Sequence, residues 1–207
     1  MAKEIDRTLY FILRDELIPG FFPLLEQGFS LRVLVGCSIR DLLCGQLGLQ
    51  GEYLDNRIQT LFLNGKTVDD VDSTFVNDGA VLALSAAMPG VMGACLRKGG
   101  LYAPMRSNIS LKKRAGDITR QYGQVVIKLF NLVLKELGPV FLEDGILTCG
   151  DKVLELLSKR QDEFRTGISS VRLADEDIDF DDLLKKDCLK GLGGSRIVFF
   201  KLAKASI

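Results

Sequence analysis

The chain has no histidine among its 207 residues. That removes the commonest general base, the Ser-His-Asp and Cys-His constellations, and every metal site that relies on imidazole. An enzyme built on this sequence has only carboxylates, Lys, Tyr or Cys for its chemistry. Cysteine is sparse as well. The five (Cys37, Cys44, Cys95, Cys149 and Cys188) are odd in number, scattered, and include no C-x-x-C pair, which argues against a disulfide framework and against tetrahedral zinc. No apolar run approaches the ~20 residues of a membrane helix. The start, MAKEIDRTLYF, carries acids and lacks the apolar core of a signal peptide, so the cytoplasm is the expected compartment. The formal net charge is zero, so the molecule as a whole has no general attraction to nucleic acid or anionic membrane.

What is present is unevenly spread. Residues 1–94 hold 7 Lys/Arg against 12 Asp/Glu, whereas residues 95–123 hold 7 against Asp117 alone. Within that basic block Arg97, Lys98, Arg106, Lys112, Lys113 and Arg114 are the anion-binding candidates, because clustered cations neutralise phosphates. Tyr102 and Tyr122 are interleaved with them. A phosphate-bearing ligand is one partner this implies. The plainer readings are a solvated linker whose lysines discourage strand pairing, or a basic stretch docked on the acidic first half.

Along the first half, Asp6 to Glu16 reads as a strand passing into a helical turn, with a helix as the rival. Phe29 to Val35 alternates and predicts a strand. Ser38 is placed as an N-cap with Asp41 at N3, and Ile39, Leu42, Leu43 and Leu47 recur at helical spacing up to Gly48. Ile58 to Leu63 predicts a strand, Asn64-Gly65 a tight hairpin turn, and Lys66-Thr67-Val68 the return. Val71 to Val76 reads as a connector, Asp78-Gly79 as a turn, and Ala80 to Met88 as a strand closed by Pro89-Gly90.

This succession, with VGCSIRDLL entering the helix and LFLNGKTVDD…VNDGAVLALSAAMPG leaving it, resembles the β-grasp sulfur carriers of thiamine and molybdopterin synthesis over roughly Thr8 to Gly93. The resemblance implies a ubiquitin-like mixed sheet with one packed helix. It also implies a chain end at a Gly-Gly carboxylate that is adenylated and converted to a thiocarboxylate. LRKGG is similar to the arginine-rich Gly-Gly tail of ubiquitin, so Gly99 and Gly100 stand where a processed terminus would be. Acyl activation needs a free carboxylate, and this sequence continues to Ile207, so carrier chemistry requires cleavage after Gly100.

From Cys95 onward, Gln124 to Leu134 (QVVIKLFNLVL) predicts a strand whose spacing also permits a helix. Pro139 to Leu142 reads as extended, Asp144-Gly145 as a turn, and Ile146 to Thr148 as a strand pairing back. Asp151 to Phe164 predicts a helix, Asp179 to Cys188 a shorter one, Gly191 to Gly194 a turn and Ile197 to Leu202 a final strand. The acidic run Asp175 to Asp182 fails as a calcium loop, because a start at Asp175 puts Phe180 and Lys186 where Gly and Glu are required. Acids at a helix N-terminus explain it without metal. Cys149 and Cys37 each lie beside a helix start, which can activate a thiol, but neither has an evident activating partner. Cys37 and Cys44, seven apart, are expected to share a face. The glycines form neither a P-loop nor a G-x-G-x-x-G pattern.

The sequence therefore predicts an α+β protein, with a ubiquitin-like β-grasp domain over 1–94 and an α+β extension of unassigned fold over 95–207. The expected function is a non-catalytic binding or adaptor protein that meets another protein through its sheet, or an anionic partner through its basic junction. It needs no cofactor, no metal and no membrane. The alternatives are a carrier or modifier precursor activated at Gly100, and an enzyme working without histidine.

Overall fold

A computed structural model describes residues 7–87, 90–100, 119–174, 176–185 and 197–205. The first part of the chain runs through β1 (Arg7–Leu13), a 3₁₀ segment (Asp15–Phe21), α1 (Phe22–Gln27), β2 (Phe29–Val35) and β3 (Cys37–Ser38). Two π-wound helices (Asp41–Gln46 and Tyr53–Arg57) follow, then β4 (Thr60–Leu63), β5 (Lys66–Thr67), β6 (Phe75–Val76), β7 (Val81–Ser85) and α2 (Gly90–Leu96). Beyond residue 118 come β8 (Gln121–Phe130), α3 (Asn131–Asp144), β9 (Ile146–Cys149), α4 (Gly150–Lys159) and α5 (Gln161–Gly167). The last elements are β10 (Ile168–Leu173), β11 (Glu176–Asp177), α6 (Phe180–Leu184) and β12 (Ile197–Lys204). The fold is α+β with parallel and antiparallel pairing. No helix among the described residues is long and apolar enough to cross a membrane.

The chain forms two compact units that do not follow sequence order. The first comprises Met1–Phe29 and Glu136–Ile207, the second Ser30–Lys135. Residue 94, where the sequence suggested a boundary, lies in α2 within the second unit.

In the first unit the strands are ordered β11-β10-β1-β12-β9. β1 pairs antiparallel with β10 and parallel with β12, and β12 pairs antiparallel with β9. Leu9, Phe11 and Leu13 alternate along β1 and are fully buried, as the period of a strand requires. Phe11, Phe21, Phe164 and Phe200 form the centre of this core, with ring centroids 4.8–6.0 Å apart in tilted pairs. Such pairs contribute about 0.5–1.5 kcal/mol each beyond the area they bury.

The second unit orders its strands β2-β8-β7-β4-β5, with β7 and β8 parallel and β4 antiparallel to β7 and β5. One face carries Leu61, Leu63, Leu82, Leu84, Ile127 and Leu129, all buried. The buried side chains of the segment around the first π-helix are Ile39, Leu42 and Leu43, and Leu54 is that of the second π-helix. Asn64 and Gly65 take φ of 51° and 76°, the two positive angles that a two-residue hairpin turn requires between β4 and β5. Ser38 caps as expected, its Oγ accepting from Asp41 N–H at 3.0 Å. The helix it starts is wound wider than an α-helix, since Leu47 N–H donates to the Leu42 carbonyl five residues back. Cys37 lies in β3 and not on that helix, and β3 pairs with β6, which is cut from the expected connector.

Several other expectations are corrected. The strand expected at the start of Asp6 to Glu16 is β1, and it belongs to the first unit and not with the strands of the β-grasp succession. The run QVVIKLFNLVL is strand and helix in turn: β8 ends at Phe130, and Asn131, with φ 56°, redirects the chain into α3. Pro139 to Leu142 is helical, because Val133, Leu134, Phe141 and Leu142 recur on one buried side and their burial outweighs the local cost of proline. Gly145 ends α3, its N–H donating to the Phe141 carbonyl at 2.9 Å, so β9 pairs with the distant β12 and not back along the chain. The helix expected over 151–164 breaks at Arg160, whose ψ of 39° separates α4 from α5. Asp179 caps α6, its carboxylate accepting from Asp181 N–H at 2.8 Å, which accords with helix-terminal acids in this run. Cys188 and Gly191 to Gly194 lie outside the described residues.

Candidate functional site

Two features of the second unit bear on function. The first is the turn that follows α2, and it holds four of the residues singled out in the sequence. Arg97, Lys98, Gly99 and Gly100 are described, whereas Arg106, Lys112, Lys113 and Arg114 lie outside the described residues. The turn is tied to its surroundings at every step. Lys98 N–H donates to the Gln59 carbonyl at 2.7 Å, Gly99 N–H to Asp69 Oδ1 at 3.0 Å, and Gly100 N–H to the Arg97 carbonyl at 3.1 Å. Lys98 Nζ donates to the Leu54 carbonyl at 2.9 Å, inside the second π-helix. Burial pushes the Lys98 amine below its ordinary range, and Asp55 and Asp72 partly offset this. The Lys98 amine therefore caps a helical carbonyl and is not presented to solvent as an anion receptor.

Beside this turn, Arg40 bridges two carboxylates that the sequence reading passed over. Its guanidinium meets Asp55 at 2.8 Å and Asp72 at 2.5 Å. Hydrogen bonds to Asp55 and then to Asp72 hold Arg40 above its usual range, and the bond from Arg40 holds the Asp55 carboxyl below its own. Asp70 closes the adjacent loop, accepting from the N–H groups of Asp72 and Ser73. The sequence signal for this was the Asp-rich DDVDS run, whose short acids favour side-chain-to-backbone turns. Gln59 Oε1 and Thr60 Oγ1 are buried at the neighbouring strand start without a hydrogen-bond partner. No group of three or more potential metal ligands occurs among the described residues.

Cys37 and Cys44 are not placed as activated thiols. Burial pushes Cys37 up, with Asp41 adding to it, and its Sγ–H donates to the Leu34 carbonyl at 3.2 Å. Burial likewise raises Cys44. A raised thiol is less thiolate and a poorer nucleophile at neutral pH.

The second feature is the outer face of the second unit's sheet, opposite its aliphatic core. Strand alternation and the observed registers place Phe62, Val81, Ala83, Val126, Lys128 and Phe130 on it, all half-buried. The outer row of β8 continues through Gln124 to Tyr122, which is 89% exposed. On β2, exposed Arg32 has the opposite parity to the buried Val33 and Val35 and so faces the same way. This face carries Arg32 and Lys128 and no carboxylate at the outer positions of β4, β7 and β8. Among the described residues of 30–135 no aromatic side chain is buried: Tyr53, Phe62 and Phe130 are half-buried, and Phe75 and Tyr122 are exposed, while the buried Phe29 at the start of β2 packs on Phe141 and belongs to the first unit.

Compared with known proteins, the chain matches no family model, no curated relative and no solved structure.

Proposed function

We propose that the chain is a non-catalytic binding or adaptor protein whose second unit, a β-grasp-like module, engages a protein partner through the outer face of its sheet. The carrying observation is the placement of the aromatics. This unit fills its core with Leu, Ile and Val and leaves its rings at or near the surface, with Tyr122 protruding at the end of the β8 row. Tyr and Arg are enriched in protein interfaces, where large side chains add contact area at low entropic cost. Arg32 and Lys128 among Phe62, Val81, Val126 and Phe130 suit a partner surface that is apolar with acidic groups. The β-grasp reading rests on the succession of strand, capped helix, Asn-Gly hairpin, Asp-Gly turn and last strand. The free thiols among the described residues are in keeping with a reducing, cytoplasmic compartment.

A carrier or modifier released after Gly100 draws on the same succession of elements. It would leave without β8, which lies between β2 and β7 in the sheet. The adaptor reading keeps that sheet whole.

A photo-crosslinking amino acid placed at Tyr122 or Val126, and in parallel at exposed Asn56 on the second π-helix, tests the reading in the native cell. One discrete protein adduct from positions 122 and 126, absent from 56 and suppressed by Arg32→Glu with Lys128→Glu, is the expected result. Equal adducts from all three positions, or none, would overturn it.

A further inference from the structure

Among the described residues, the strands that precede Gly100 and those that follow Thr119 are shared between the two units in a reciprocal way. In the second unit every described strand but one precedes Gly100. The exception, β8, is not at an edge: it lies between β2 and β7. Its Val125, Ile127 and Leu129 are fully buried, and it runs in parallel register with β7 from Val81↔Val126 to Ser85↔Phe130. Its entry is fastened too. Asp78 Oδ1 accepts from Gln124 N–H at 2.7 Å, Gly79 N–H donates to the Gln124 carbonyl at 2.8 Å, and Val126 N–H to the Ala80 carbonyl at 2.8 Å.

In the first unit the proportions are inverted. Every described strand but β1 follows Thr119, and β1 lies between β10 and β12. Its Leu9, Phe11 and Leu13 are fully buried, and it pairs from Arg7↔Val198 to Leu13↔Lys204 on one side and from Leu9↔Leu173 to Leu13↔Ile168 on the other. The ends of this strand are held by Ala174 N–H to the Thr8 carbonyl at 2.7 Å and Ala205 N–H to the Leu13 carbonyl at 2.9 Å.

We infer that the two sequence halves are each other's missing strands, so that cutting the chain after Gly100 leaves a two-chain protein and releases neither a carrier nor a modifier. Hydrolysis there adds one water across the Gly100–Leu101 peptide bond and yields a Gly100 carboxylate and a Leu101 ammonium group. Each fragment taken away alone would strip an inner strand from a sheet, leaving backbone donors and acceptors unpaired on two neighbouring strands and uncovering the aliphatic or aromatic core beneath. The new carboxylate would also stand on a turn bound to Asp69, Gln59 and Leu54, not on a free tail. This inference is independent of the adaptor reading: it concerns how the chain survives scission, whichever partner it meets.

The test is an insertion of a Gly/Ser linker carrying a site-specific protease sequence after Gly100 of the full chain, followed by complete cutting under native conditions. Fragments 1–100 and 101–207 should co-elute at the size of the uncut protein, with unchanged far-UV circular dichroism. After separation in denaturant and mixing, the two should reassemble, and Ile127→Ala in the second fragment should weaken that reassembly at least tenfold. Elution of either fragment as a folded species by itself would overturn the inference, as would precipitation of the pair on cutting. Loss of structure in the uncut insertion variant would count against it equally, since the connection and not the strand pairing would then be holding the halves together.

Discussion

The two units solve the same problem with different side chains. Each has an inner parallel strand pair, β1 with β12 in one and β7 with β8 in the other. The first unit encloses Phe11, Phe21, Phe164 and Phe200 in its core, while the second encloses Leu and Ile, and its described rings are half-buried or exposed. Rings in a core contribute stability through area and tilted contacts, whereas rings on a surface contribute it only when something covers them. The difference separates a unit whose aromatics hold it together from one whose aromatics stand at or near its surface.

The largest expected effect tests that contrast directly. Phe21→Ala, which removes a ring packed against three others, should destabilise by about 3–5 kcal/mol. Phe75→Ala, at a position 40% exposed, should stay within about 0.5 kcal/mol. Chemical denaturation of both variants checks this, and comparable losses would remove the distinction between the units.

Next comes the entry of β8. Gly36 has φ 77°, and a Cβ there would stand 2.4 Å from the Thr119 carbonyl oxygen, so backbone would have to move. Gly36→Val should cost about 3 kcal/mol from combined strain and overpacking. Hydrogen exchange should show the loss in β8 and β2 and leave β1 and β12 protected. Uniform loss across β1, β2, β8 and β12 would mean that the units unfold as one.

A smaller effect is expected at the helix start. Ser38→Ala removes the acceptor for Asp41 N–H and should cost about 1 kcal/mol. Ser38→Asp, which restores an acceptor, should recover most of that in the same denaturation assay.

The smallest concerns the Arg40 bridge. Its partners are half-exposed, so solvent screens it, and Asp55→Asn should cost no more than about 1 kcal/mol. The sign with pH follows from the lowered Asp55 carboxyl. Its contribution is fully present above the ordinary carboxylate pKa and is lost as pH falls through the lower folded value. Wild type should therefore lose its margin over Asp55→Asn on acidification below the usual carboxylate range. A margin that stays constant through that range would show that the bridge has no net coupling to folding.

Local features were legible because their physics is local. The turn at Asn64-Gly65, the cap at Ser38 and the closing strand at Ile197 each depend on a few neighbouring residues and on period-2 or helical spacing. The run from Gln124 to Leu134 was legible only as a choice, since its apolar spacing serves strand and helix alike, and the choice fell at Asn131. The candidate site was harder still. Lys98 reads as one cation of a basic block until Leu54 and Gln59, some forty residues earlier, are brought beneath it. Asp55 and Asp72 read as ordinary surface acids until Arg40 joins them. Nothing within a window of ten residues announces a contact of that range.

By itself, then, the sequence determined several strands, the capped helix after Ser38 and their apolar faces, and that the fold is α+β. It also excluded histidine chemistry outright. Only the tertiary structure decided that β1 belongs with the end of the chain and that β8 enters the middle of the earlier sheet. Alternation says which side of a strand is buried but not which strand lies beside it, because backbone hydrogen bonds are the same for every partner. Pairing is selected by closing long loops against the burial of two complementary cores, and that balance exists only in the assembled fold.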